Sequence, residues 1–302
     1  MATSTFTLPS GRKMSYSLSH STDPARPTIL LSNSLCSQFS FWDPIVTRLH
    51  DLNFRVLRYD HPGHGYSGVP SDLSCTTFDS LAEDVHALVT SSNLAPYFMG
   101  GHSPGIGSSA PSLHAWMGVS MGAALGIVFA TKYPGMTKKL VICDTITSSP
   151  VNAGAPDAFG PRVKAARESG SMEKAVGETM ERWFGKEWIE QNPEEASRVK
   201  GLMERTSLDG FETCVAALRS STFDLGPLFS KVGSSVESVL LVVGEKDADL
   251  PTQMAKTRDE IQKGIPEAGK EVELKVIKDA GHVCFIDGQE DFLKAVLPFL
   301  QE

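Results

Sequence analysis

Three side chains in this chain occur in an order, and in local contexts, that suit nucleophilic catalysis: Ser120, Asp247 and His282. Ser120 is the centre of Gly118-Val119-Ser120-Met121-Gly122, a G-x-S-x-G pattern within LHAWMGVSMGAALGIVFA. The stretch reads as a short buried strand over 113–117, a tight turn over 118–122 and an apolar helix running to about Tyr133. Such a turn stands the serine hydroxyl clear of a sheet, and its two glycines let neighbouring backbone approach closely. The helix start aims backbone N–H groups at developing negative charge. A chance G-x-S-x-G in a chain with 26 glycines is the bland alternative, and the flanking strand and helix argue against it.

A serine hydroxyl is a weak nucleophile at neutral pH, so it needs a base, and the base needs an orienting carboxylate. Downstream of Ser120, a strand over 239–243 ends in Gly244-Glu245-Lys246-Asp247. A strand over Glu273–Ile277 ends in Asp279-Ala280-Gly281-His282. His282 is the only histidine after the helical stretch that follows Ser120. Three strand ends thus deliver serine, acid and histidine in that order. Asp247 is the expected acid. Asp144, at the end of a strand over 139–143, is its main rival, and Asp249 lies two residues on. Two backbone N–H donors must meet the oxyanion. Met121 supplies one, and Leu35, on the loop after Thr28–Ser32, is the expected second.

Other candidates have plainer readings. His61 and His64 stand at H-x-x-H spacing in a Pro/Gly turn with no third ligand nearby, so no metal is expected. His86 falls on a helix, while His20 and His50 read as surface or helix-end residues. His102 sits in the loop before the Ser120 strand, where it could approach the substrate, though a solvated loop histidine is the plainer reading. Cys284, two residues past His282, has no base of its own. Met172, Met180 and Trp183 read most simply as packing residues, although aromatics of such a segment often face substrate as well. Arg162 and Arg182 read as solvated helix-face cations that could pair with a substrate carboxylate.

The elements that must position these residues alternate between strand and helix. A hairpin spans 4–19, a strand covers Thr28–Ser32, a helix 41–50 and a strand 54–59. Thr77 caps a helix to about Thr90. After the Ser120 helix come the strands at 139–143, 239–243 and Glu273–Ile277, with helices near 252–263 and 289–300 after the last two. This pattern calls for a twisted, mostly parallel sheet covered by helices on both faces. Two segments interrupt it. Residues 150–230 hold four helical runs (163–168, 172–184, one opened by Asn192-Pro193, and Leu208–Arg219) and no strand, which predicts a lid inserted after the sixth strand. The expected division is a core of 1–148 and 232–302 with a helical cap of 149–231. The second interruption is the Gly/Ser/Pro-rich loop over 97–112.

Composition bounds the rest. The chain has 302 residues, 41% hydrophobic and 21% charged, with a formal net charge of −8. That suits one large α/β domain. With no basic run, nucleic acid and anionic membrane surfaces are not expected partners. No signal-peptide pattern or membrane-spanning run is apparent. The five cysteines are scattered without paired spacing, which suits a reduced cytoplasmic enzyme. A monomer and a homodimer are both compatible.

The motifs GVSMG, RYDHPGHGYSGVP, GEKD and the late Gly-His together resemble the α/β-hydrolase superfamily. LSNSL with FWDP, MERWF and GFETCVAALRS narrow that resemblance to 3-oxoadipate enol-lactonases. It implies the α/β-hydrolase fold, Ser120 as nucleophile, Asp247 as acid, His282 as base, Leu35 and Met121 as oxyanion donors, and no cofactor. The implied reaction is lactone opening or ester cleavage through an acyl-enzyme. Cys36 stands where these lactonases usually carry glycine, Asp144 where they often carry asparagine, and the 97–112 loop is longer than usual. Two other functions keep the fold: C–C bond hydrolysis of a diketone, and a slow-turnover ligand receptor.

Overall fold

The computed structural model describes residues 3–19, 26–98, 112–265 and 271–302. His20, His102 and most of the 97–112 loop lie outside the described residues. The strands are β1 (Ser4–Thr7), β2 (Lys13–Leu18), β3 (Thr28–Ser32), β4 (Arg55–Tyr59), β5 (Leu113–Val119), β6 (Thr137–Cys143), β7 (Ser238–Gly244) and β8 (Glu273–Ile277). They form one sheet in the order β1-β2-β4-β3-β5-β6-β7-β8. β1 and β2 pair antiparallel, β2 pairs antiparallel with β4, and every pairing from β4 to β8 is parallel. β3 and β4 are buried at every residue, as parallel strands covered on both faces must be.

The helices are α1 (Asp43–Asp51), α2 (Phe78–Val89), α3 (Met121–Lys132), α4 (Pro150–Ala153), α5 (Gly160–Ser169), α6 (Glu173–Gln191), α7 (Pro193–Met203), α8 (Leu208–Arg219), α9 (Gly226–Ser235), α10 (Leu250–Lys263), α11 (Cys284–Asp287) and α12 (Gln289–Gln301). α1 is preceded by a 3-10 turn over Phe39–Trp42, so the expected 41–50 helix is two segments. Thr77 caps α2: its hydroxyl accepts from Ser80 N–H while the Ser80 hydroxyl accepts from Thr77 N–H. α3 is apolar all round and buried from Met121 to Ala130, as a helix enclosed on every side must be.

α4 to α9 all fall between β6 and β7. α9 packs on α3 and α10, so the 231/232 boundary expected from the sequence falls inside a helix that rests on core helices. Because β3, β5, β6, β7 and β8 run parallel, Ser32, Val119, Cys143, Gly244 and Ile277 all finish at one edge of the sheet. The loops leaving that edge carry the candidate site.

Candidate functional site

Ser120 sits between β5 and α3 with φ 54° and ψ −119°, a region that non-glycine residues seldom occupy. The strain is held by packing on both sides. A Cβ on Gly118 would lie 2.2 Å from the Gly122 carbonyl oxygen, and one on Gly122 would lie 2.4 Å from that of Ser32. Neither position admits a side chain, so the G-x-S-x-G glycines are a steric requirement of the turn. Ser120 N–H donates to the Cys143 carbonyl at 2.8 Å, tying the turn to the end of β6. Trp116 donates through Nε1 to the Gly122 carbonyl at 3.0 Å and so anchors the first turn of α3.

His282, on the loop after β8, donates through Nδ1 to Asp247 Oδ2 at 2.6 Å, and both side chains are buried. That bond leaves Nε2 as the free ring nitrogen. Burial lowers the His282 pKa, the Asp247 carboxylate pulls it back up and the Arg182 charge lowers it again. The ring therefore stays neutral at and above its ordinary range, the form in which an imidazole can accept a proton. Asp144, the rival acid, has other partners. Its Oδ1 accepts from Gly244 N–H at 2.7 Å and its Oδ2 from the Cys284 thiol at 3.1 Å. Burial, and then the nearby Asp247 charge, push its pKa well up. The Cys284 thiol is likewise raised, by burial and by Asp144.

The loop after β3 carries Leu35. Among the described residues, neither Leu35 N–H nor Met121 N–H finds an acceptor. The histidines of the H-x-x-H turn brace this loop. His61 Nε2 donates to the Asn33 carbonyl at 2.9 Å, and His64 Nε2 accepts from Cys36 N–H at 3.0 Å while its Nδ1 donates to the Pro62 carbonyl. Burial lowers their pKa values to about 3 and about 4. Both rings are thus neutral, and His64 can accept. The pair is two struts on either side of Leu35. The H-x-x-H spacing alone gives no sign of this role, which depends on the approach of the loop after β3. Beside them Asp60 accepts from Phe39 N–H at 2.7 Å and from the Ser15 hydroxyl at 2.7 Å. Burial raises its carboxyl to about 7.

Ser120 and His282 line a cavity of about 390 Å³ together with Leu35 and Cys36, and with Arg162, Thr179, Arg182 and Trp183 from the α4–α9 segment. Burial lifts the Cys36 thiol to about 12, so it faces the cavity as a neutral group. Arg162 donates through Nη2 to the Ala175 carbonyl at 3.2 Å and to Thr179 Oγ1, and its buried Nε has no partner among the described residues. Among the described residues no carboxylate pairs with Arg162 or Arg182. Each instead lies 5.9 Å from an aromatic ring centre, Phe211 and Trp183 respectively. Arg182 reaches solvent, yet desolvation and the Arg162 charge bring its pKa below the arginine norm. Glu178, also on the wall, is exposed and lies 3.9 Å from Lys174. A cleft of about 480 Å³ opens elsewhere, between α1, the end of α6 and the start of α12, and holds none of the expected site residues. Among the described residues no cluster of three or more His, Cys, Asp or Glu could hold a metal ion, and no helix is long and apolar enough to cross a membrane.

Comparison with known proteins follows the same lines. Residues 36–295 match the family model described as the alpha/beta hydrolase family. The chain is 25% identical over 283 residues to "Putative carbamate hydrolase RutD" of Agrobacterium fabrum, covering 92% of this chain and 95% of the relative. It is 25% identical over 222 residues to 3-oxoadipate enol-lactonase 2 of Acinetobacter baylyi, covering 74% and 72%. Among solved structures, the enol-lactonase from Burkholderia xenovorans LB400 superposes with a TM-score of 0.79 at 25% identity, covering 99% of this chain and all of that one. A thermophilic esterase from Thermogutta terrifontis gives the same score at 20% identity, with 100% and 98% coverage.

Proposed function

The chain belongs to the alpha/beta hydrolase family, and from that premise we propose that it is a serine hydrolase opening a lactone or cleaving a carboxylic ester of a small organic substrate through an acyl-enzyme. One observation carries the reading: the 2.6 Å hydrogen bond from His282 to Asp247, with His282 and the strained Ser120 in the wall of one cavity. The similarity to an enol-lactonase in sequence and in fold supports it.

In this reading Ser120 Oγ attacks the carbonyl carbon while His282 Nε2 takes its proton. Asp247 holds the imidazole in the tautomer that leaves Nε2 free and stabilises the imidazolium that forms. The tetrahedral oxyanion is met by Leu35 N–H and Met121 N–H, donors with no competing acceptor among the described residues. Collapse breaks the bond to the leaving oxygen, which takes the proton back from His282. Water, deprotonated by the same ring, then attacks the acyl carbon, and the acid and free Ser120 are released. These steps need no cofactor. The helices α4 to α8 act as a cap that closes the cavity over Ser120, while α9 rests on the core. Arg162 and Arg182 suit a substrate that carries a carboxylate, because two unpaired cations beside one cavity repel each other until an anion lies between them.

The test is hydrolysis of p-nitrophenyl acetate and of 3-oxoadipate enol-lactone by the parent and by Ser120→Ala. Release of p-nitrophenol that vanishes in the variant is the expected result, with lactone opening if the enol-lactonase likeness extends to substrate. Ester cleavage that survives in Ser120→Ala contradicts the mechanism.

A further inference from the structure

α6 is two helical segments joined across Gly185, which has φ 74° and ψ 155°. A regular helix would give the Trp183 carbonyl to the N–H four residues on. The break at Gly185 interrupts that ladder, and the carbonyl instead accepts from His282 N–H at 3.0 Å. The approach is close: a Cβ added to Gly281 would lie 1.9 Å from the Trp183 oxygen. The Trp183 ring then stacks on the His282 imidazole, with centroids 5.4 Å apart and planes 28° apart. Phe41 closes the arrangement edge-on, its ring centre 6.5 Å from the indole. The indole is 2% exposed, and its Nε1–H is buried with no hydrogen-bond partner among the described residues. A buried N–H left unpaired is unfavourable, so the ring is held there by its face and not by its N–H.

The segment of α6 before the break also supplies Thr179, Arg182 and Trp183 to the cavity wall. One short helix therefore contacts both the substrate space and the histidine. We propose that Trp183 is the positioning residue for His282, through its ring face and its carbonyl together, so that seating the first half of α6 over the cavity and aligning the base are one event. This rests on His282 being the base. It adds that the base is held from the cap side as well as by Asp247. Besides Trp183, the charged groups acting on the imidazole are Asp247 from the loop after β7 and Arg182 from α6.

Trp183→Leu and Trp183→Phe separate this role from wall packing, with p-nitrophenyl acetate as substrate across pH 5–9. Loss of the flat face in Trp183→Leu admits water to the imidazole and loosens it. We expect kcat to fall about tenfold with KM nearly unchanged, and the acid limb of kcat/KM to move up by about half a pH unit as burial is relieved. Trp183→Phe keeps a ring face and loses no hydrogen bond, so it should stay within about threefold of the parent with its acid limb in place. Gly281→Ala, which drives a methyl into the Trp183 carbonyl, should reproduce the kcat loss and carries the test if Trp183→Leu does not fold. Variants that raise KM alone, with the acid limb unmoved, would overturn the proposal and leave Trp183 as wall. Failure of the triad reading looks different, because ester cleavage by the parent would then persist in Ser120→Ala.

Discussion

The two walls of the cavity are built by different means. On the sheet side, the groups the proposed reaction uses are tied to backbone or to one another: Ser120 N–H to Cys143, His282 to Asp247, and the Leu35 loop to His61 and His64. On the side of the α4–α9 segment, Arg162 and Arg182 line the same space with no carboxylate partner among the described residues. Groups fixed by their neighbours suit a task that is the same for every substrate, such as proton transfer and charge stabilisation. Unpaired cations on helices suit a task that depends on which substrate arrives. On the proposed reading the reacting groups stand at the sheet edge and the choice of substrate falls to the helices, with Trp183 the helical residue that also touches His282. The contrast can be broken from either side.

The largest effects belong to the sheet side. Ser120→Ala or His282→Ala should lower kcat by at least about 10⁴-fold without disturbing the fold, read by steady-state kinetics beside circular dichroism. Asp247→Asn should cost about 10²- to 10⁴-fold by favouring the wrong imidazole tautomer, while Asp144→Asn should cost under about tenfold, since Asp144 bonds Gly244 and Cys284 and not His282. Equal losses in the two variants would make Asp144 a partner in the acid role.

Next in size is the helical wall. Arg162→Met with Arg182→Met should raise KM for a carboxylate-bearing ester by about tenfold or more, the worth of one charge-assisted contact. The KM for p-nitrophenyl acetate should stay nearly the same. Smaller still, His64→Phe removes the acceptor for Cys36 N–H and should cost about 1–3 kcal/mol of stability with a modest loss of kcat, read by denaturant melts and kinetics. The acid limb of the parent sharpens the picture. Burial sets the His282 pKa below its ordinary value, so activity should persist below pH 6.5 and fall only as the pH drops through the lowered value. The same sign holds for stability: a histidine buried neutral contributes above its unfolded pKa and loses that contribution as the pH falls.

Much of the sheet side was legible in the sequence because it is written in short-range signals. Gly118 and Gly122 flank Ser120 within one turn, Asp247 follows β7 by three residues, and His282 follows β8 by five. The strand alternation and Thr77 cap were equally local. What the sequence hid depends on contacts across long separations. Trp183 reads as a core aromatic of a helix, and only the break at Gly185 and the approach of the β8 loop turn it towards His282. His61 and His64 look like a weak metal motif until the β3 loop is seen against them. α9 gives a weak signal in the sequence because its apolar face, with Phe229 and Val232, is short and its Gly-Pro start reads as a turn.

The central claim is that Ser120 is the nucleophile of an acyl-transfer site, and covalent labelling tests it without knowledge of the substrate. The parent and Ser120→Ala would be incubated with a fluorophosphonate, intact masses measured and the adduct located by peptide mapping. The account predicts one adduct per chain on Ser120, formed more slowly in His282→Ala and absent from Ser120→Ala. No adduct in the folded parent, or an adduct on Cys36 or any other residue with Ser120 unmodified, would contradict it.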